Sequence, residues 1–230
     1  PRLHDGVCTM PRSAATLIAI LLVPMMAAAQ SNSVRLRALG GAGLFAPGSL
    51  NTITDIAGVQ VGHRTLVEGD SVRTGVTAIL PQKGDLFGEK VPVAVHVGNG
   101  FGKAAGVLQV QELATDAPIS PRNLERMAKR AMLGLARTGS YASNGSGDFV
   151  IAFSPQNRRT GAAAPRPDSL LPNDQMSPLV LATVEAVEEA VYNALTAATT
   201  VTSRDGHAQE ALPLDRLRTI LREAGRIETN

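Results

Sequence analysis

Residues 149–153 read Phe-Val-Ile-Ala-Phe, five apolar positions with no polar break. A strand of that type is buried on both faces, so the chain has to supply cover on either side of it. What comes before narrows the architecture. From Leu124, apolar side chains recur at Met127, Ala128, Ala131 and Leu135, offsets that mark one face of a helix. Arg122, Arg126, Lys129, Arg130 and Arg137 fall mostly on the opposite side, as a solvated face. Helix and strand are joined by a small polar loop running from Gly139 to Asp148. A rigid frame carrying such a loop is a common setting for chemistry.

The rest of the chain supplies more of both element types. Asn51 to His63 reads as two short strands joined by a turn, with Ile53, Ile56, Val59 and Val61 broken by Asp55 and Gly58. Thr74 to Leu80 is β-rich, and Val91 to Val97 alternates around His96. Gly98 to Gly106 then holds four glycines in nine positions. Later, Val180, Val184, Val187, Val191 and Leu195 form a second helical stripe, with Glu185, Glu188 and Glu189 away from it. Pro213 opens a third helix, faced by Leu214, Leu217, Leu221 and Ala224, which Gly225 stops. Residues 158–174, rich in Pro, Ala and Arg without a period, read as an exposed loop. Strands with three amphipathic helices read as α/β or α+β, with helices covering sheet faces.

Composition excludes several roles. The 230 residues are 44% hydrophobic and 18% charged, which is globular rather than disordered. A net charge of +2, with basic residues spread out and aromatics at 3%, gives no footprint for nucleic acid. The first residues differ from the rest. Residues 1–9 read as a leader upstream of the start at Met10, and residues 10–29 as a signal peptide. Arg12, the apolar run from Ala14 to Met26 and the small residues Ala27 to Ala29 are its three regions. Pro24 and the shortness of the run argue against a membrane anchor. The expectation is an exported, periplasmic or secreted chain with a single α/β domain over 30–230 and no membrane attachment when mature. Cys8, the only cysteine, lies in the leader, which removes disulfides and thiol catalysis from the mature part.

Three chemistries come into question. Gly98-Asn99-Gly100-Phe101-Gly102-Lys103 follows a strand as a phosphate loop would, but lacks the glycine and hydroxyl spacing of both nucleotide motifs. A backbone turn approaching a small ligand at Asn99 and Gly100 is the better reading. His63 with Asp55 and Asp70 could hold a metal, yet a turn histidine explains it better, and no G-x-S-x-G elbow accompanies the histidines. No metal or cofactor is expected. The loop of Asn144, Ser146 and Asp148 has an ordinary reading, a helix end followed by a turn into a strand. It also has a chemical one, in which a hydroxyl and a carboxylate two positions apart grip an amine or orient a nucleophile.

Residues 50–63 (L-N-T-I-T-D-I-A-G-V-Q-V-G-H), 73–81 (R-T-G-V-T-A-I-L-P) and the stretch from Val91 resemble the α-subunit of β-peptidyl aminopeptidases. These are relatives of the L-aminopeptidase/D-amidase–esterase enzymes. Residues 115–148, from T-D-A-P-I-S-P to S-N-G-S-G-D, resemble the late β-subunit of the same family, and 203–217 fit its tail. The resemblance divides the chain into 30–113, α-subunit-like, and 114–230, late β-subunit-like. It implies an αββα sandwich of the self-processing aminopeptidase and ornithine acetyltransferase-like type. It also implies a precursor that cuts itself so that a new N-terminal serine becomes the nucleophile, with its own amine as base. In that pattern Ser146 and Asp148 match the serine and acidic residue that hydrogen-bond the nucleophile and its amine. Asn144, Asn99 and Gly100 stand as substrate-contacting groups. The implied substrates are short peptides or amides with a free N-terminus, including β- or D-residue types, and the implied assembly is a homo-oligomer.

One departure matters. At Leu113 to Thr115 the chain passes from the α-type segment straight to the late β-type segment, without the family's self-cleavage site and nucleophile. Gly48-Ser49, Gly139-Ser140 and Gly145-Ser146 are the Gly-Ser bonds present, and none has the family's cleavage context. The sandwich is therefore expected to be incomplete. Three accounts stay open at this point: an internally deleted hydrolase, a binding or scaffold remnant of the same fold, and a chain that does not fold alone.

Overall fold

The structure, a computed structural model, describes residues 34–41, 43–100, 108–156, 158–160 and 170–227. The expected leader and signal peptide, 1–29, and Phe101 to Gly106 of the glycine stretch lie outside them. The described chain opens with a 3₁₀ turn, Leu36–Leu39, closed by Gly40 at φ 85°. Residues 53–55, expected as strand, form another 3₁₀ turn. Local capping decides this. The Asp55 carboxylate accepts from the Leu50 and Thr52 N–H groups at 2.9 and 3.2 Å, and the Thr52 hydroxyl accepts from Thr54 N–H. Two side chains thus satisfy a helical start that the apolar pattern alone does not reveal.

Next comes a long hairpin, β1 (Gln60–Glu68) and β2 (Val72–Leu80), antiparallel from Gln60 opposite Leu80 to Glu68 opposite Val72. Leu66, Val67, Val76 and Leu80 on it are exposed. The chain continues through the short β3 (Glu89–Lys90) to β4 (Val93–Gly100), β5 (Leu108–Ala114), α1 (Pro121–Arg137) and β6 (Gly147–Phe153). It then runs through β7 (Arg159–Thr160), α2 (Ser177–Ala197), β8 (Val201–Thr202), β9 (Ala208–Gln209) and α3 (Leu214–Glu223).

The central sheet has the order β4-β6-β5. Although β4 and β5 follow each other in sequence, they flank β6. The pair β4–β6 is antiparallel and the pair β5–β6 parallel. The parallel pair is joined through α1, the crossover that parallel strands require.

Helix α1 forms where its periodicity places it. Ser120 caps it by accepting from Asn123 N–H at 3.2 Å, Pro121 occupies the first turn, and Gly139 at φ 94° ends it. Leu124, Met127, Ala128, Ala131 and Leu135 are all buried. The first four of them pack with Leu113, Val150 and Ala152 of the sheet and with Ile119, Met176 and Val187. Burying Leu124 and Ile119 completely contributes about 2–3 kcal/mol each relative to exposure. The close approach of α2 depends on Gly134, where an added Cβ would lie 2.5 Å from Val184 O and 2.8 Å from Val187 Cβ.

Two details go beyond the sequence reading. The α2 glutamates, placed only as lying away from the apolar stripe, have specific partners. Glu189 takes a two-pronged bond from Arg37, 2.7–2.9 Å, and the Asn51 amide at 2.7 Å, while Glu185 accepts from Phe45 N–H. They tie the first described segment to α2, and separations of 138 to 152 positions hide that partnership from a local reading. The second concerns cover. Residues paired across an antiparallel sheet share a face. Val93 with Phe153, Val95 with Ile151 and Val97 with Phe149 therefore face away from the side holding Ala94, Val150 and Ala152, which packs on the helices. On that outer side Val93, Val95 and Val97 are 52%, 58% and 49% exposed. The apolar strand has helices over one face. On β6 itself Phe153 is buried and Phe149 and Ile151 are half-buried on the other side, so the opening is confined to the β4 valines.

Candidate active site

The loop between α1 and β6 is built by backbone that few residue types adopt. Gly139 and Gly145 sit at φ 94° and 104°, and Ala142, unusually for a residue with a Cβ, at φ 49°. Ser146 N–H donates to Ser143 O at 2.9 Å, which closes the turn that delivers the chain into β6. Two residues on, Asp148 enters the sheet with 1% of its surface exposed.

Ser146 Oγ lies 3.0 and 2.9 Å from the two carboxylate oxygens of Asp148, so its proton is shared between them. A buried carboxylate without such a donor would be costly. With its proton directed at Asp148, the Ser146 oxygen keeps lone pairs for a further donor. That is a geometry for accepting from an amine or a second hydroxyl.

Asn99 joins this loop from a distant part of the sequence. It pairs in register with Asp148 across the β4–β6 ladder, after an irregularity between Val97 and Asn99, and Gly100 pairs with Gly147. Its side-chain amide donates to Ser143 O at 3.0 Å. The bulge falls at Gly98, where a Cβ would stand 2.6 Å from Met132 Sδ of α1, so glycine allows the helix to approach there. Asn99 and Gly100 thus belong to a strand rather than a glycine loop, which disposes of the phosphate-loop reading for them. Asn144, the remaining predicted site residue, is exposed at the turn. The structure therefore brings Asn99, Gly100, Ser146 and Asp148 to one sheet end, with Asn144 on its rim.

Sequence reasoning missed the Ser143 carbonyl that anchors Asn99. Only the strand register reveals it. His63 stands apart on the hairpin, with Nδ1 3.0 Å from Thr77 Oγ1, and among the described residues no three His, Cys, Asp or Glu side chains cluster as metal ligands. A shallow pocket lined by Ala57, Asp116, Pro155, Gln156 and Arg158 lies at the opposite end of β6, about 20 Å along the strand from Asp148.

Comparison with known proteins identifies the family. The sequence model of peptidase family S58 matches residues 51–114 and 113–209, and the chain belongs to that family. It is 37% identical over 151 residues to the beta-peptidyl aminopeptidase BapA of Sphingosinicella microcystinivorans, covering 62% of this chain and 38% of that protein. It is 31% identical over 203 residues to BapA of Sphingosinicella xenopeptidilytica, covering 80% and 49%. The chain thus spans half or less of the length of the curated relatives it matches.

Solved structures agree on the fold. The PH0078 protein of Pyrococcus horikoshii OT3 superposes with a TM-score of 0.76 at 27% identity, over 84% of this chain and 100% of that one. The L-aminopeptidase D-Ala-esterase/amidase of Ochrobactrum anthropi, described as a variant of the Ntn hydrolase fold, gives 0.74 at 22% identity over 84% and 99%. A Burkholderia sp. beta-aminopeptidase gives 0.70 at 25% identity over 83% and 99%.

Proposed function

We propose that this chain derives from an exported serine aminopeptidase or amidase that releases N-terminal residues from short peptides or amides, β- or D-residue types among them. The observation that carries the reading is the Ser146–Asp148 pair at the sheet end, buried carboxylate and shared proton included. In an N-terminal serine hydrolase the attacking residue bears both a hydroxyl and an amine, and both need orienting partners. Ser146 and Asp148 supply an acceptor and a charge of the right kind, with Asn99 and Asn144 beside them for the substrate. The intact fold is an αββα sandwich, of which this chain holds one helix-covered sheet.

The chain itself lacks the nucleophile and is inactive. The two segments matched by the family meet at residues 113–114, and the shortness of the chain against its curated relatives agrees with a missing middle. Without the nucleophile, most of the rate is lost and binding is what can remain. The test is incubation of the purified chain with chromogenic aminoacyl anilides, followed by N-terminal sequencing. No turnover and no internal cleavage are expected; turnover together with a new serine N-terminus overturns the reading. A second reading, a non-catalytic binder of short peptides or amino acids, is favoured by the same pair. Saturable binding by calorimetry without turnover would select it.

A further inference from the structure

A cavity of about 180 Å³ at the far end of β6 is walled by charges of both signs that do not meet. Asp116 and Arg158 line it together with Ala57, Pro155 and Gln156. Among the described residues, neither the Asp116 carboxylate nor the Gln156 side-chain amide has a hydrogen bond or ion pair. Arg158 donates from Nε to Pro155 O at 3.1 Å and stands 3.6 Å from Glu89 through Nη1. That leaves its Nη2 protons for another acceptor. The walls are fixed from behind. Ser154, fully buried, donates to Ala117 O at 3.0 Å and accepts from Gln156 N–H at 3.4 Å. It thereby stitches the turn carrying Asp116 to the segment carrying Gln156 and Arg158. Gln82, 1% exposed, donates to the Glu89 carbonyl and holds β3, whose Glu89 carboxylate steers Arg158.

We propose that this cavity binds a free α-amino acid with a small side chain, as its zwitterion. The ammonium meets Asp116, and the carboxylate takes donors from Arg158 Nη2 and the Gln156 amide. Two opposite charges held apart across a gap are matched by one molecule that carries both. Ala57 and Pro155 offer apolar contact to the carbon atoms between those ends. Size agrees, because the cavity is smaller than the roughly 300 Å³ at which sites for drug-sized ligands begin. The site lies about 20 Å along β6 from Asp148. The inference therefore stands apart from the catalytic reading and uses neither Ser146 nor Asp148.

Titration of the isotope-labelled full chain with L-alanine, followed by NMR, tests it. Expected are saturable shifts of the Ala57, Asp116, Gln156 and Arg158 amides, with a Kd of about 1–10 mM. L-Alaninamide, which lacks the carboxylate, and N-acetyl-L-alanine, which lacks the ammonium, should each bind about fivefold more weakly. Asp116→Asn and Arg158→Gln should each weaken L-alanine by a similar factor. Asp70→Asn, in the turn of the β1–β2 hairpin, should leave it unchanged. Both site positions are exposed, and the dispersion of the same spectra reports whether each variant is folded. No saturable shift up to about 100 mM overturns the proposal. Blocked derivatives that bind as well as L-alanine, or site variants that bind it like the unaltered chain, overturn it too. So do shifts confined to residues 144–148, which would report an amine at the Ser146–Asp148 end instead.

Discussion

Asp148 shows how much one hydroxyl can matter. A carboxylate with 1% exposure has lost its water, and the Ser146 proton is its side-chain hydrogen-bond donor. Ser146→Ala should lower unfolding free energy by about 1–3 kcal/mol, read as a drop in the urea midpoint with an unchanged slope. Adding Asp148→Asn to the Ser146→Ala variant should recover part of that loss, because the charge is then gone. This pair was legible in the sequence as a hydroxyl and carboxylate two apart, but its partner strand was not. Asn99 lies 49 positions from Asp148, and only the ladder register joins them. Glu189, placed by the sequence only as lying off the apolar stripe, proves to be a tether. Its partial burial acts to raise its pKa, and the hydrogen bonds from Arg37 and Asn51 outweigh that, so the net shift is downward. A carboxylate lowered in the folded state stabilises above its ordinary value of about 4.3 and loses that contribution as pH falls through the folded value. Urea midpoints should therefore fall in acid below about pH 4.5, and Glu189→Gln should flatten that part of the profile.

At the scale of elements, α1 was the most readable part of the chain. Its apolar stripe and its Gly139 stop are local signals that the structure keeps, and Pro121 in the first turn marks a start that the stripe alone did not give. What was hidden is how tightly it meets α2. Gly134 costs the helix about 1 kcal/mol in intrinsic propensity against alanine. The added Cβ would nonetheless press on the Val184 backbone carbonyl at 2.5 Å, and backbone cannot step aside as a side chain can. Gly134→Ala should thus destabilise by about 1–3 kcal/mol despite its better propensity, seen as a lower melting temperature. The 3₁₀ turn at 53–55 escapes a sequence reading for a related reason. Val and Ile spacing over so few residues fits a strand or a turn, and the decision rests on the capping by Thr52 and Asp55.

At the scale of the whole molecule, β6 is the strand on which the sheet depends. Its neighbours both precede it, yet neither pairs with the other. Order of synthesis gives this a consequence for the cell. A ribosome releases β4 and β5 first, and each then waits with open edges while the 17 residues of α1 and the loop behind it are made. Only when residues 147–153 clear the exit tunnel can both edges close. During that interval the nascent chain shows chaperones two valine-bearing strands without partners, a recognised hazard for aggregation. A chain stopped at residue 140 should be captured by trigger-factor-type holdases and melt without a cooperative transition, whereas one extended through residue 227 should melt cooperatively.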